Sequence, residues 1–243
     1  MITYGRSIRW FNNLTDEINF SIQNNFNFIQ VWFKDGKLLL DNIPEPIEEK
    51  ILNASFPTII HVVYDIYDYN KYNSELLRIL KYLKHTEVII HPICKAIPIT
   101  AETINILAEN IYNTNQLLKE QNIKLYVENN SIIDPINYSV SDLKIFFDKN
   151  QDVDLLLDLA HIDNYIHLQN IINIKFPTCL HIADKHFSIK HEHLPIGQGD
   201  LDFNLIFKNY LKNFDGKIIF EVIGSDEEII HSKKIISSIL ETK

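Results

Sequence analysis

The chain has 243 residues, of which 46% are hydrophobic and 23% are charged, so it can bury a sizeable core. Its formal charge of −9 disfavours a broad electrostatic grip on nucleic acid or on an anionic membrane. Two cysteines outside any CxxC pair, and the lack of a signal-peptide or membrane-spanning apolar run, predict a reduced, cytoplasmic protein.

Eight short apolar runs rich in Ile, Val and Leu recur along the chain and predict eight strands. Continuous runs of this length are typical of strands buried on both faces, as in a parallel sheet. In chain order they are ITYGRSI (2–8), FNFIQVWF (26–33), TIIHVVY (58–64), EVIIHP (87–92), KLYVEN (124–129), DLLLDLA (154–160), TCLHIA (178–183) and KIIFEVI (217–223).

Amphipathic stretches between these runs predict helices. The clearest are SELLRILKYLK (74–84), which Asn73 or Ser74 would start, and ETINILAENIYNTNQLLKEQ (102–121), near Thr100 and Thr103. PEPIEEKILNA (44–54) is the weakest. Later helical patterns follow Ser141, Asp163, Asp200 and Ser225, which are residue types that favour helix starts.

The strict alternation of strands and helices predicts a single-domain (β/α)8 TIM barrel over residues 1–243. No Gly/Ser-rich linker or charge block divides the chain. Alternation of this kind implies parallel strands with right-handed crossovers. A flavodoxin-like or Rossmann sheet needs fewer units and a Gly-rich first turn, which this sequence lacks.

Six consecutive apolar runs end in a histidine or a carboxylate. These residues are His61, His91, Glu128, Asp158, His181 and Glu221. In a TIM barrel the carboxyl ends of the strands meet around one mouth, where active sites lie. Buried carboxylates brought together there need a compensating positive charge. Histidine with Asp or Glu matches the ligands of Zn²⁺, Mn²⁺ or Co²⁺, so the pattern predicts a metal site.

Histidines are concentrated in the stretch HIADKHFSIKHEHLPIGQG (181–199). His191 and His193 point the same way in an extended loop, so both are expected to face the metal cluster. His161, three residues after Asp158, is a further candidate ligand. No role at the site is assigned to the remaining histidines, which are His85, His167, His186 and His231.

At these residues the chain resembles the xylose-isomerase-like TIM barrels. That superfamily contains sugar and sugar-phosphate isomerases and epimerases, together with endonuclease IV. The resemblance covers essentially the whole barrel. Its most specific segments are HP (91–92), LYVEN (125–129), DLAH (158–161), HIAD (181–184) and HLPIGQGDLDF (193–203).

The isomerase branch implies one divalent metal, either Zn²⁺, Mn²⁺ or Co²⁺. Its ligands would be Glu128, Asp158, His181 and Glu221. Glu128 and Glu221 would also act as acid and base on a hydroxycarbonyl substrate, through an enediolate. His161 would contact a substrate hydroxyl. Several epimerases carry an arginine after the His181 position, and its absence here leaves lysines such as Lys185 or Lys190, or backbone amides, to hold a phosphate. The expected partner is a small carbohydrate; no membrane is expected, and a homo-oligomer is left open.

The endonuclease IV branch implies three zinc ions, nine ligands and a nucleic-acid partner. The corresponding residues are His61, His91, Glu128, Asp158, His161, His181, His191, His193 and Glu221, and eight match in type. His191 stands where that family has Asp, whereas Tyr64 follows His61 by three residues as in that family. The chain is expected to be short for an endonuclease IV, and it has no arginine beyond Arg78.

The sequence therefore favours a metal-dependent sugar or sugar-phosphate isomerase or epimerase. The alternative is an endonuclease IV-like multi-zinc phosphodiesterase. Other lyase or hydrolase chemistry on polyols and a metal-binding barrel without catalysis stay open. His61 and His91 argue for more than one metal, whereas His191 and the shortage of basic residues argue for one. Between one and three ions per chain are expected.

Overall fold

Eight parallel strands form a closed barrel in the computed structural model, which describes residues 1–40, 47–95 and 98–242. Closure comes from the first strand, which pairs with both the second and the last. The barrel strands are β1 (Thr3–Ser7), β2 (Phe28–Lys34), β4 (Thr58–Asp65), β5 (Glu87–Ile93), β6 (Lys124–Glu128), β7 (Asp154–Asp158), β8 (Cys179–Ile182) and β9 (Lys217–Phe220). Each lies within or overlaps one predicted apolar run, and the predicted single-domain (β/α)8 barrel is confirmed.

Helices follow the barrel strands and cover the outside of the sheet. They are α1 (Leu14–Gln23), α2 (Ile47–Ala54), α3 (Tyr69–Tyr82), α4 (Ala101–Lys119), α5 (Val140–Lys149), α6 (Tyr165–Ile174), α7 (Phe203–Leu205), which continues as a π-helical turn (Ile206–Tyr210), and α8 (Asp226–Glu241). Residues 44–46 of the predicted second helix lie outside the described residues. Within the described ranges, no helix has the length and apolar character to cross a membrane.

Helix starts agree with the predictions at two places and differ at others. Thr100 and Ser225 cap α4 and α8, each in a capping box. Helix α3 begins at Tyr69, before the predicted start at residues 73–74, because buried Tyr69 extends its apolar face into a stretch that looks polar in sequence. Ser139 rather than Ser141 caps α5. The caps of α6 and α7 are Asn164 and Asp202, shortly after the two aspartates that precede them in sequence.

The strand β3 (Lys37–Leu39) is not predicted from the apolar runs. It pairs antiparallel with β2 beyond a two-residue turn. Asp35 and Gly36 have φ of 51° and 82° in that turn. Positive φ at both central residues is the type I′ geometry that Asp-Gly favours in hairpins. The hairpin extends the wall of the barrel above β2.

A layer of apolar side chains fills the barrel below its mouth. It consists of Phe28, Ile59, Ile89, Tyr126, Leu156, Cys179 and Ile219, all buried. A larger core lies between the strands and the helices. Because side chains alternate along a strand, the residue two positions after each member of the inner layer also points inward, one level nearer the mouth.

Ser225→Ala is expected to lower the free energy of unfolding by about 1 kcal/mol. The Ser225 hydroxyl accepts from the Glu228 backbone N–H, and the Glu228 carboxylate accepts from the Ser225 N–H. Urea denaturation followed by circular dichroism measures the change. Ser238→Ala, at an exposed position inside α8, is the control and should have little effect. Equal stability of the Ser225 variant and the wild type would contradict the capping assignment.

Candidate metal centre

Six strands carry the predicted ligands into one layer at the mouth of the barrel. Each ligand comes two residues after a member of the apolar inner layer, so it points inward by strand alternation. The six are His61, His91, Glu128, Asp158, His181 and Glu221. The structure brings these six side chains together at one end of the barrel, as the sequence predicts.

Glu128 lies at the centre of this layer and is 1% exposed. Its Oε2 atom is 2.8 Å from His61 Nε2 and 3.0 Å from His91 Nδ1. Its other oxygen, Oε1, is 3.2 Å from His181 Nδ1. One carboxylate therefore faces two different sets of nitrogen donors, one through each oxygen.

Three groups of donor atoms can each hold a metal ion, the atoms of each group lying within 4.8 Å of one another. The first is His61, His91 and Glu128; the second is Glu128, Asp158, His181 and Glu221; the third is His161, His191 and His193. All nine residues that the endonuclease IV resemblance implies fall into these groups. Glu128 belongs to two of them.

The donor chemistry of the second group fits a divalent cation. His181 Nδ1 is 3.6 Å from Glu221 Oε2 and 3.9 Å from Asp158 Oδ2. Asp158 Oδ2 is buried and has no hydrogen-bond partner. A buried carboxylate oxygen without a hydrogen bond is costly. An ion bound among these oxygens and the imidazole would satisfy it.

In the third group, two histidines have Nδ1 against a backbone carbonyl oxygen, which leaves Nε2 free to bind a metal. His161 Nδ1 lies 2.9 Å from the Asn129 carbonyl oxygen, and His193 Nδ1 lies 3.1 Å from the Glu221 carbonyl oxygen. A nitrogen that donates to a carbonyl leaves the other ring nitrogen with a free lone pair. His161 Nε2 is indeed buried without a hydrogen-bond partner. The ring centroids of His191 and His193 are 4.8 Å apart.

Electrostatic coupling in the layer is strong. Burial alone would lower the pKa of His91 and His181, but the surrounding carboxylates outweigh burial and raise these pKa values to about 10 and about 9. Burial raises the pKa of Asp158 to about 7. Burial also lowers the pKa of His161 to about 4, so that ring is neutral. Without metal, protons on His91 and His181 thus partly balance the carboxylates, and metal binding would displace them.

Gln30 belongs to the site but is not predicted from the sequence. It follows Phe28 of the inner layer by two residues on β2. Its Oε1 accepts from His181 Nε2 at 2.7 Å, and its Nε2 donates to Glu221 Oε1 at 2.5 Å. This bond fixes His181 with Nδ1 towards the carboxylates. The period of two along β2 was the signal that could have found it.

Three residues that the sequence analysis discusses lie outside the donor groups. They are Lys185, Tyr64 and His186. Lys185 is 2% exposed, and its Nζ donates to the Ile162 carbonyl at 3.1 Å. Burial lowers its pKa. The ammonium group is thus engaged by the protein, and its assignment to substrate phosphate stays a prediction. Tyr64 packs against Tyr69 in the outer core, and His186 pairs with Glu192.

Asp184 organises the loop that carries His191 and His193. It is fully buried and accepts from the backbone N–H groups of Lys185, Gly197 and Leu201 at 2.8–3.1 Å. Its own backbone pairs with Leu194 in both directions at 2.8 Å. The sequence analysis names the HIAD segment as part of the family resemblance, but it does not predict that Asp184 organises this loop.

Asp184→Asn is expected to loosen residues 186–200, because the asparagine amide group cannot accept one of these N–H bonds. Leaving a buried donor unpaired costs about 1–3 kcal/mol. Hydrogen exchange read by mass spectrometry should show faster exchange in this loop, with β5 and β6 unchanged. Asp202→Asn is the control, since Asp202 is exposed and bonds only locally through its side chain to Leu205. Unaltered loop exchange would contradict the assignment.

No protein-family model matches the chain, and no curated protein matches it in sequence. Solved structures do match over nearly their whole lengths. A D-tagatose 3-epimerase-like protein matches at 17% identity and a TM-score of 0.76, covering 99% of this chain and 97% of that chain. D-allulose 3-epimerase from Methylomonas sp. in complex with D-allulose matches at 12% identity and a TM-score of 0.75, covering 98% and 96%.

Endonuclease IV from Thermus thermophilus matches at 15% identity and a TM-score of 0.69, covering 99% of this chain and 100% of that chain. The two chains therefore align over nearly their whole lengths. At these identities the likeness shows the fold alone, a TIM barrel that this chain shares with these structures.

Proposed function

We propose that the protein is a multi-metal phosphoesterase. The observation that carries the proposal is Glu128, whose two oxygens face separate groups of donors. The sequence alone favours an isomerase with one metal. The convergence of His61, His91, His191 and His193 on the same mouth reverses that order, because a one-metal isomerase has no use for these four imidazoles.

Phosphoester hydrolysis is the chemistry that clustered divalent ions serve best. Closely spaced ions, when bound, supply positive charge to both the attacking and the leaving oxygen of an in-line displacement. Other residues of the protein hold the donor side chains in place. Gln30 orients His181 and Glu221, the Asn129 carbonyl orients His161, and Asp184 fixes the loop of the third group.

Zinc is the metal that these donors favour. The third group consists of three imidazoles, and the first contains two imidazoles and one carboxylate. Imidazole suits zinc, whereas magnesium and calcium prefer oxygen donors. His191, where the endonuclease IV family has a carboxylate, shifts the third group further towards nitrogen ligands.

The first test is metal content together with phosphoester hydrolysis. Elemental mass spectrometry of protein purified without chelator should find two or three zinc ions per chain. The zinc-loaded protein should hydrolyse phosphoesters, and a chelator should abolish the activity. Substrates should include duplex DNA with an abasic site and small phosphoesters. A single ion per chain, or fully metallated protein without any phosphoester hydrolysis, would contradict the proposal.

A sugar isomerase or epimerase is the second candidate. Glu128 and Glu221 both lie near His181 Nδ1, at 3.2 and 3.6 Å. Glu128 is buried in the mouth, and the Glu221 side chain is 8% exposed. Two carboxylates at one metal could remove and return a proton beside a carbonyl. The epimerase names of the similar structures support this candidate at the level of fold alone. Its signature is solvent-proton exchange at a substrate carbon, lost in Glu221→Gln, with one metal per chain.

A further inference from the structure

A cavity of about 560 Å³ opens beside the metal centre. Its walls come from the loop after β1, from β2 and β3, and from the loop after β9. His191, His193 and Glu221 line it as well. The cavity is therefore continuous with the second and third donor groups. A substrate whose reacting phosphate lies on these groups would extend its remaining part into this space.

Three aromatic side chains, Trp10, Phe11 and Trp32, line the cavity. Trp32 lies at its inner end, with its ring centroid 4.4 Å from that of His61 and its Nε1 donating to Ser7 Oγ at 3.1 Å. Trp10 and Phe11 lie at the rim, 45% and 55% exposed, and their rings meet edge to face at 5.6 Å. Ile223, 78% exposed, adds to the apolar wall.

The rim also carries positive charge. Arg9 is bound to Glu17 and Asp226, but Lys34 is exposed and forms no ion pair within the part of the chain that the structure describes. An anionic group entering between Lys34 and the metal centre would meet the lysine at one end and, with metal bound, the charge of the ions at the other. The chain as a whole is acidic, with a formal charge of −9, which opposes tracking along a duplex.

The chemistry of these walls selects a flat aromatic group. A hydroxyl-rich sugar needs several polar partners in its pocket, and this cavity offers mainly apolar and aromatic surface. A nucleobase stacks on aromatic rings with little demand for hydrogen bonds. Stacking one base on such a ring strengthens binding by roughly tenfold or more.

We propose that this cavity binds the base of a nucleotide, so that the substrates are single nucleotide phosphoesters rather than duplex DNA. The hydrolysis rests on the proposed function, whereas binding of the base does not. In the reaction, the oxygen of a water bonds to phosphorus and the P–O ester bond breaks. The leaving alkoxide takes a proton from the water, and no redox partner is needed.

The two tryptophans give a direct readout of binding. The chain contains only two, and both line the cavity. Zinc-loaded protein is titrated with adenosine 5′-monophosphate and, separately, with ribose 5-phosphate. Adenosine monophosphate should quench the tryptophan fluorescence and bind at least tenfold more tightly than ribose 5-phosphate. Equal affinities, or binding of adenosine monophosphate without quenching, would overturn the proposal.

A variant that keeps both tryptophans tests whether Phe11, at the rim of the cavity, contributes to binding of the base. Phe11→Ala should weaken adenosine monophosphate binding at least fivefold and leave ribose 5-phosphate binding unchanged, as measured by calorimetry. Tyr112→Ala is the matched control, because Tyr112 is 42% exposed on α4, outside the cavity. Equal affinity of the two variants for adenosine monophosphate would contradict the assignment of Phe11.

The failures of the two proposals are distinguishable. Quenching by adenosine monophosphate, with no hydrolysis of any phosphoester tested, would overturn the phosphoesterase and support the cavity. Equal phosphate release from adenosine monophosphate and ribose 5-phosphate, without preferential quenching, would support the phosphoesterase and overturn the cavity.

Discussion

With all three donor groups occupied in the wild type, Glu128→Gln is expected to lower the zinc content of the protein from three ions per chain to one. The substitution keeps the shape of the side chain but replaces one oxygen by an amide nitrogen, which is not a ligand for zinc. Each Glu128 oxygen faces its own set of imidazoles, so the neutral amide weakens the first and second groups together. The third group, which does not contain Glu128, should retain its ion.

The same change should lower phosphoester hydrolysis more than about a hundredfold, because even outer partners of metal ligands are worth 10–100-fold. Elemental mass spectrometry gives the metal content, and phosphate release gives the activity. Glu192→Gln is the matched control. Glu192 lies between His191 and His193 in sequence, yet its carboxylate accepts from His186. Three ions retained in Glu128→Gln would contradict a shared carboxylate.

A one-metal centre gives a different result in the same experiment. The wild type would then contain one ion held by the second group, and Glu128→Gln would contain none. The third group separates the two hypotheses, because only the multi-metal centre leaves an ion there after Glu128 is changed. The expected loss of two ions out of three is thus specific to the proposed function.

The barrel and the placement of most candidate ligands could be predicted because both follow from a period of two. Ile89 and His91 on β5, like Tyr126 and Glu128 on β6, show the repeated step from the apolar layer to the ligand layer. Gln30 obeys the same step on β2. It escaped prediction because a neutral amide is neither a strong ligand nor costly to bury when it is hydrogen-bonded.

Other features depend on contacts that no local pattern encodes. The path of the loop that carries His191 and His193 is set by Asp184, whose partners lie up to seventeen residues away. Burial of Lys185 against the Ile162 carbonyl is likewise a tertiary result. The aromatic cavity joins Trp10, Trp32 and Ile223 from three separate segments. Sequence spacing alone does not predict that these three residues meet, because their proximity follows from the closure of the barrel.

Glu17→Ala is expected to lower the free energy of unfolding by about 3–5 kcal/mol. Glu17 on α1 and Arg6 on β1 are 1% and 0% exposed and form an ion pair. Arg6 Nε also donates to Ser21 Oγ at 2.9 Å. Removing the carboxylate leaves a buried guanidinium without its counter-charge. Urea denaturation at pH 7 measures the loss, and a change below about 1 kcal/mol would contradict a buried pair.

Glu17 also holds the segment that forms the rim of the cavity. Its carboxylate accepts from Arg9 Nε and from Asn12 Nδ2, both at 2.8 Å, on either side of Trp10 and Phe11. Glu17→Ala should therefore loosen residues 9–12 even at temperatures where the barrel stays folded. Faster hydrogen exchange in this segment, beside unchanged exchange in β6, is the expected signature.

The contribution of Glu17 should depend on pH in a defined direction. Burial raises the pKa of this carboxyl, but Arg6 and the hydrogen bonds outweigh burial and hold the pKa below its ordinary value. A carboxyl with a lowered folded-state pKa stabilises the fold above its unfolded pKa and loses that contribution as pH falls. The stability difference between the wild type and Glu17→Gln should hence shrink in acid. A difference that grows in acid would contradict this sign.

The double variant Arg6→Met/Glu17→Leu separates the worth of the pair from the cost of breaking it. Apolar residues of similar size remove both charges at once and leave no ion unpaired. Such replacements of buried ion pairs are often neutral or stabilising, whereas loss of one partner is strongly destabilising. The double variant should therefore be more stable than Glu17→Ala. If it were equally unstable, the hydrogen bonds from Arg9 and Asn12 would be the larger part of what Glu17 contributes.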